Sequence, residues 1–150
     1  MHVHDHSTCI HSALDQAERL CIERGARFTP LRRKVLELIW AGHESIKAYD
    51  LLDALKDFDP SAKPATVYRS LDFLLEQGLI HRVETLNAFI GCRQPDILHD
   101  LLVLICEKCH GIEERSAPGV SRAVAKELES AHFWPQAQTL EIIGLCQDCR

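Results

Sequence analysis

Two Cys-x-x-Cys pairs, Cys106 with Cys109 and Cys146 with Cys149, constrain this chain more than any other feature of its sequence. Each pair ends a predicted strand, and one helix-patterned stretch lies between them. Four thiolates turned toward one point match the tetrahedral coordination of a structural zinc ion. A redox dithiol, or two unrelated pairs, is the competing reading; paired spacing on both sides of one helix favours the closed four-cysteine site. Seven cysteines with no export signal ahead of them point to thiol or metal chemistry, because the cytosol keeps thiols reduced. A domain of fewer than about 60 residues buries too little apolar surface to be comfortably stable without a staple. Zinc there is expected to hold the fold rather than to sense anything.

The chain ahead of that site is patterned as helices. A first helix is expected over 12–24, capped by Ser12, with Leu14, Ala17, Leu20 and Cys21 on one face and Gly25 ending it. Thr29 followed by Pro30 starts a second, since threonine caps and proline fits the first turn; Leu31, Val35, Leu38 and Ile39 recur at helical spacing up to Gly42. A third helix fits 48–58, with Leu51, Leu52 and Leu55 inward, and a fourth runs from Pro64 to Gly78. The period then changes, and 79–85 and 88–92 form two strands joined at Leu86 and Asn87. A hairpin placed after a recognition helix is a wing.

Residues 93–98, with Pro95 and Asp96, have no clear period and are expected to be a hinge. Beyond it come strands at 101–106, 111–115 and 140–145 and a helix over 120–131. The expected fold class is therefore α+β: a tail over 1–11, a winged helix-turn-helix domain over 12–92, and a small α/β domain over 99–150 carrying the four-cysteine zinc site. The tail is biased toward metal-binding types, with His2, His4, His6, Cys9 and His11. A disordered segment with no specific role is the expectation there, against transient metal capture.

A second ligand group is spread along the chain. His81 lies on the first wing strand, Cys92 at the end of the second, His99 just past the hinge, and Glu113 or Glu114 beyond Cys109. Two imidazoles, a thiolate and a carboxylate make a four-coordinate zinc set, and the soft thiolate favours zinc over manganese. Taken singly, each residue is commonplace; only their placement on both sides of the hinge gives the group meaning.

The formal net charge of −5 argues against indiscriminate nucleic-acid binding, which needs Lys and Arg set against phosphates. Between positions 24 and 34, however, Arg24, Arg27, Arg32, Arg33 and Lys34 stand with no acidic residue among them. The fourth helix carries Thr66, Tyr68, Arg69 and Ser70 near its start, where side chains can enter a major groove. Arg69 is the best base reader, because its planar fork matches two acceptors on guanine, while Tyr68 can reach a phosphate or a thymine methyl. A solvated helix face is the bland alternative.

The run AYDLLDALKDFDPSAKPATVYRSLDFLLEQGLI, followed by the linker and by CEKC and CQDC, resembles the ferric uptake regulator superfamily, most closely its zinc uptake regulator branch. The resemblance covers residues 13–149. It implies a homodimer whose winged helices grip double-stranded palindromic operator DNA through Tyr68 and Arg69, with further contact near Tyr49; the helix pattern adds Thr66 to that face, and the absence of an export signal or spanning run reads the chain as cytoplasmic. The resemblance also implies structural zinc on Cys106, Cys109, Cys146 and Cys149 and regulatory zinc on His81, Cys92, His99 and Glu114, two ions per subunit, and it chooses Glu114 over Glu113. The implied function is a zinc-responsive repressor of zinc uptake genes.

Iron-sensing relatives carry a His-rich run ahead of the first cysteine pair, where this chain keeps only His99 and Asp100. The usual histidines of a third metal site found in some relatives are missing, with His132 and Asp100 as loose candidates for it, and no third site is expected. An iron-, manganese- or peroxide-responsive regulator is the alternative, and Cys92 as a ligand weighs against it. A zinc enzyme needs an open coordination position and a general base, which a four-cysteine cluster without a His-x-Glu motif does not offer. A metal-carrying chaperone has only the tail in its favour. No apolar run approaches the roughly 20 residues that span a bilayer, so no membrane association is expected.

Overall fold

The computed structural model describes residues 6–42, 44–96, 101–136 and 138–150. His99, Asp100 and the tail histidines His2 and His4 lie outside the described residues. The chain divides into two compact units, Met1–Ile97 and Leu98–Arg150.

The first unit is built from α1 (His6–Glu23), α2 (Pro30–Ala41), α3 (Ala48–Leu55), α4 (Pro64–Glu76) and a hairpin of β1 (Ile80–Val83) and β2 (Ala88–Gly91). Helix α1 begins six residues before the expected start at Ser12. Ile10 packs against the core one turn ahead of Leu14, so the apolar stripe of Leu14, Ala17 and Cys21 extends backward and carries the helix with it. The segment 6–11 is therefore helix rather than disordered tail.

Helix α2 starts where Thr29 and Pro30 place it, the threonine hydroxyl accepting from the Arg32 N–H at 3.3 Å. Its buried face is Val35, Leu36 and Ile39, with Leu31 and Leu38 only half-buried. Helix α3 buries Leu51, Leu52 and Leu55, and α4 buries Val67, Leu71 and Leu74, closing one apolar core among four helices. Gly78 follows α4 with φ +67°, a left-handed turn open to glycine without strain, and the Leu79 N–H returns to the Leu74 carbonyl at 2.9 Å.

Strands β1 and β2 pair antiparallel, with His81 opposite Ile90 and Ile80 opposite Gly91. The strands are shorter than expected and the connection spans Glu84 to Asn87, where Asn87 takes φ +47° and its side chain accepts from Arg82 at 3.0 Å. A third segment joins the wing: Ile46, ahead of α3, forms an antiparallel bridge to Phe89 with hydrogen bonds of 3.0 and 2.9 Å.

The second unit contains β3 (Leu101–Cys106), β4 (Ile112–Ser116), α5 (Pro118–Ser130) and β5 (Leu140–Gly144), in sheet order β4-β3-β5. β3 runs antiparallel to β4 and parallel to β5. Val103 and Ile105 of the central strand are buried, whereas α5 buries none of its residues and Ile142 and Ile143 of β5 are about half exposed. The molecule is α+β, a winged helix-turn-helix unit followed by a small sheet unit.

Candidate metal centres and nucleic-acid face

Parallel pairing of β3 with β5 brings the C-terminal ends of both strands to one end of the sheet, with Cys106 opposite Gly144. Cys146 follows two residues later, so both Cys-x-x-Cys turns leave the sheet side by side. The first turn is closed by hydrogen bonds between the Cys106 N–H and the Gly111 carbonyl and between the His110 N–H and the Cys106 carbonyl, each 2.9 Å, with His110 at φ +60°. The second is closed by the Cys149 N–H on the Cys146 carbonyl at 3.1 Å. The four sulfurs all lie within 4.8 Å of one another, and Cys109 Sγ and Cys146 Sγ are 3.8 Å apart. A zinc–sulfur bond of about 2.3 Å gives a tetrahedron with edges of about 3.8 Å, so the cluster has the size and donor chemistry for zinc.

The thiols are not equivalent. Backbone N–H groups of Cys109, Cys146 and Lys108 converge on the Cys106 sulfur and hold its pKa down to about 6. Cys149 is pushed up to about 12, first by its hydrogen bond to Cys146 and then by desolvation. Cys109 gains from the Gly111 N–H but ends above its ordinary value, because its bonds to Cys106 and Cys146 oppose ionisation.

In the first unit, the Cys92 N–H donates to the Leu79 carbonyl at 3.0 Å, placing Cys92 opposite Leu79 and diagonal to His81 on one face of the hairpin. The ligand atoms of His81 and Cys92 lie within 4.8 Å of each other, His81 half-buried and Cys92 buried. In the second unit Glu114 is half-buried on β4, while its neighbour Glu113 points to the other face, exposed and paired with Arg115 at 3.3 Å.

Helix α4 exposes Tyr68 and Arg69 side by side, and α3 exposes Tyr49. Thr66 is half-buried, its hydroxyl accepting from the Lys63 N–H at 3.3 Å at the helix start. Ser70 does not join this face: it is buried and donates to the Thr66 carbonyl at 3.1 Å.

The basic stretch is largely engaged within the unit. Arg32 stacks on Phe73 at 3.8 Å, Arg33 pairs with Glu18 at 3.2 Å, Lys34 pairs with Glu37 at 3.1 Å, and Arg24 donates to two backbone carbonyls. Among the described residues Arg27 alone of the five presents an exposed, unengaged guanidinium. Sequence reasoning also passed over Gly91, although a glycine inside a strand pattern signals close approach of another group.

The ferric uptake regulator family profile matches residues 23–143. The zinc uptake regulation protein of Escherichia coli (strain K12) is 41% identical over 145 residues, 95% of this chain and 84% of that one. The peroxide operon regulator of Bacillus subtilis (strain 168) is 30% identical over 136 residues, 91% of this chain and 92% of that one. The solved structure of a zinc uptake regulator complexed with zinc and DNA superposes with a TM-score of 0.89 at 40% identity, covering 93% of each chain. With winged helix, cysteine cluster and profile in agreement over most of its length, the chain belongs to the ferric uptake regulator family.

Proposed function

We propose that this protein is a zinc-responsive transcriptional repressor, binding palindromic operator DNA as a homodimer when regulatory zinc is present and so controlling zinc uptake genes. The observation that carries this reading is the pairing of a buried thiol with an imidazole on the wing, Cys92 with His81, in a chain 41% identical to a zinc uptake regulator. A thiolate donor favours zinc over the harder cations.

Two zinc ions per subunit fit the donors. Cys106, Cys109, Cys146 and Cys149 hold the structural ion, a closed set with no open position for catalysis. His81 and Cys92, with His99 and Glu114 from beyond the linker, hold the regulatory one. When bound, zinc supplies a divalent centre that ties soft and borderline donors together. A ligand shifts a conformational equilibrium only by its differential affinity, and a donor set drawn from both sides of the linker has that property. Tyr68 and Arg69, with Thr66 and Tyr49, then meet two half-sites at matched spacing.

A homodimer is supported by the apolar surface of the second unit, where Ile142, Ile143, Leu145, Phe133 and Trp134 are exposed. No helix among the described residues is long and apolar enough to cross a membrane, and DNA as partner implies the cytoplasm. The direct test selects an operator from random duplexes, then titrates zinc into the protein–DNA mixture while metal is counted per subunit. DNA binding that appears as the second equivalent loads supports the reading; equal binding in the presence of a chelator that strips that equivalent refutes it.

A further inference from the structure

Arg24 stands at the end of α1, exposed, yet its guanidinium reaches two carbonyls far away in sequence. One terminal nitrogen donates to the Gln77 carbonyl at 2.6 Å and the other to the Pro95 carbonyl at 3.2 Å. Gln77 is the C-cap residue of the recognition helix α4, and Pro95 is buried, three residues past Cys92. The Cys92 N–H is itself fixed to the Leu79 carbonyl, and the Leu79 N–H to the Leu74 carbonyl. The contacts close a ring: α4, the wing ligand Cys92, the first linker residues, Arg24, and α4 again. Residues 93–95, the first three of the expected hinge 93–98, are bracketed by these contacts within the winged-helix unit.

We propose that Arg24 is a positioning residue for the zinc response, clamping the start of the linker to the end of the recognition helix. Were a metal held at Cys92, the stiff connection through Pro95 and Arg24 would carry any pull on the linker to α4. A slack segment between Cys92 and Pro95 would absorb that pull. The planar guanidinium suits the task because its two terminal nitrogens, held in one fork, span two carbonyls at once; a lysine ammonium offers donors from a single point. The inference rests on the reading of Cys92 as a regulatory ligand.

The test compares full-length wild type with Arg24→Ala and Arg24→Lys, measuring operator affinity with saturating zinc and with chelator, across a salt series, alongside zinc content and thermal midpoint. The expected result for Arg24→Ala is a fall of at least about fivefold in the ratio of zinc-loaded to chelated affinity, the low end of ordinary allosteric coupling, with zinc content unchanged. Arg24→Lys, keeping one carbonyl contact, falls between, and it decides the matter should the alanine variant not fold. An unchanged ratio overturns the proposal. So does an equal loss in both metal states with a salt slope smaller by about one, which marks Arg24 as a phosphate contact. A wild-type ratio of one refutes the regulatory site itself and is distinguishable from failure of the clamp, which leaves the wild-type ratio intact.

Discussion

The indole of Trp40 on α2 rests directly on Gly91, the last residue of β2. A Cβ at position 91 would fall 2.7 Å from Trp40 Cζ2 and closer still to Cε2 and Nε1. Helix and wing meet at this point because the strand offers no side chain there. Gly91→Ala is expected to push the ring or the strand aside and to destabilise the protein by about 1–3 kcal/mol, the usual cost of overpacking. Urea denaturation of the full-length protein followed by Trp fluorescence measures it; an unchanged midpoint would mean the indole moves away at no cost.

Cys106 and Cys92 are predicted to fail differently. On the proposed structural role, Cys106→Ser removes a donor from the four-cysteine cluster of a unit whose helix α5 buries none of its residues, so metal binding energy lost there would be folding energy lost. The variant should hold one zinc fewer and lose its cooperative C-terminal unfolding and its dimer, read by metal analysis and sedimentation. A well-folded dimer lacking that zinc would contradict the structural role.

Cys92→Ser and His81→Ala should keep the fold and the four-sulfur zinc while losing zinc-dependent operator binding. Both side chains project from a hairpin whose packing against the helices rests on other residues, Ile80 and Phe89. Zinc-responsive DNA binding retained by both variants, measured by mobility shift, would remove the wing from the sensing site.

Much of this was legible in the sequence because local chemistry and tertiary packing agreed. Thr29–Pro30 fixes the start of α2 within one residue, and the leucines of α3 and the cysteine turns after β3 and β5 stand where their spacing puts them. Features that depend on distant partners were not legible. Ile46 pairs with Phe89, distant in sequence, and the first turns of α1 carry Ile10, which packs against a core built from later helices. The run of basic residues read as a basic face, yet Asp15 and Glu18 on α1 engage Arg33 and the Phe73 ring on α4 engages Arg32. Ser70 carried a polar label that its position on the buried arc of α4 overrules.

The unequal thiols predict how zinc binding at the cluster depends on pH. The metal takes thiolates, so every thiol still protonated must release its proton on binding. Cys106, held down to about 6, is already ionised above that pH, whereas Cys109 and Cys149, both raised, keep their protons through neutrality. Between pH about 6 and 8 the apparent affinity should therefore rise with pH by at least two powers of ten per unit, one for each of those protons. Below about 6 the slope steepens as Cys106 takes up its own proton. Chelator competition across pH measures the slope, and a flat profile from 6 to 8 would contradict the protonation pattern.

Arg69 is predicted to read base edges rather than only phosphates. It stands exposed on α4 one residue from Tyr68, and the adjoining positions Val67 and Ser70 are buried, so the helix presents this pair outward without freedom to rotate them away. Arg69→Ala should cost about 1–3 kcal/mol of operator binding and relax preference at one base pair of each half-site, because a bidentate guanine contact carries both affinity and selectivity. Tyr68→Phe removes only the hydroxyl and should weaken all sequences alike if that group meets a phosphate. Selection of binding sites by each variant from random duplexes separates the two roles: a variant Arg69→Ala that recovers the wild-type consensus at every position would assign the arginine to the backbone instead.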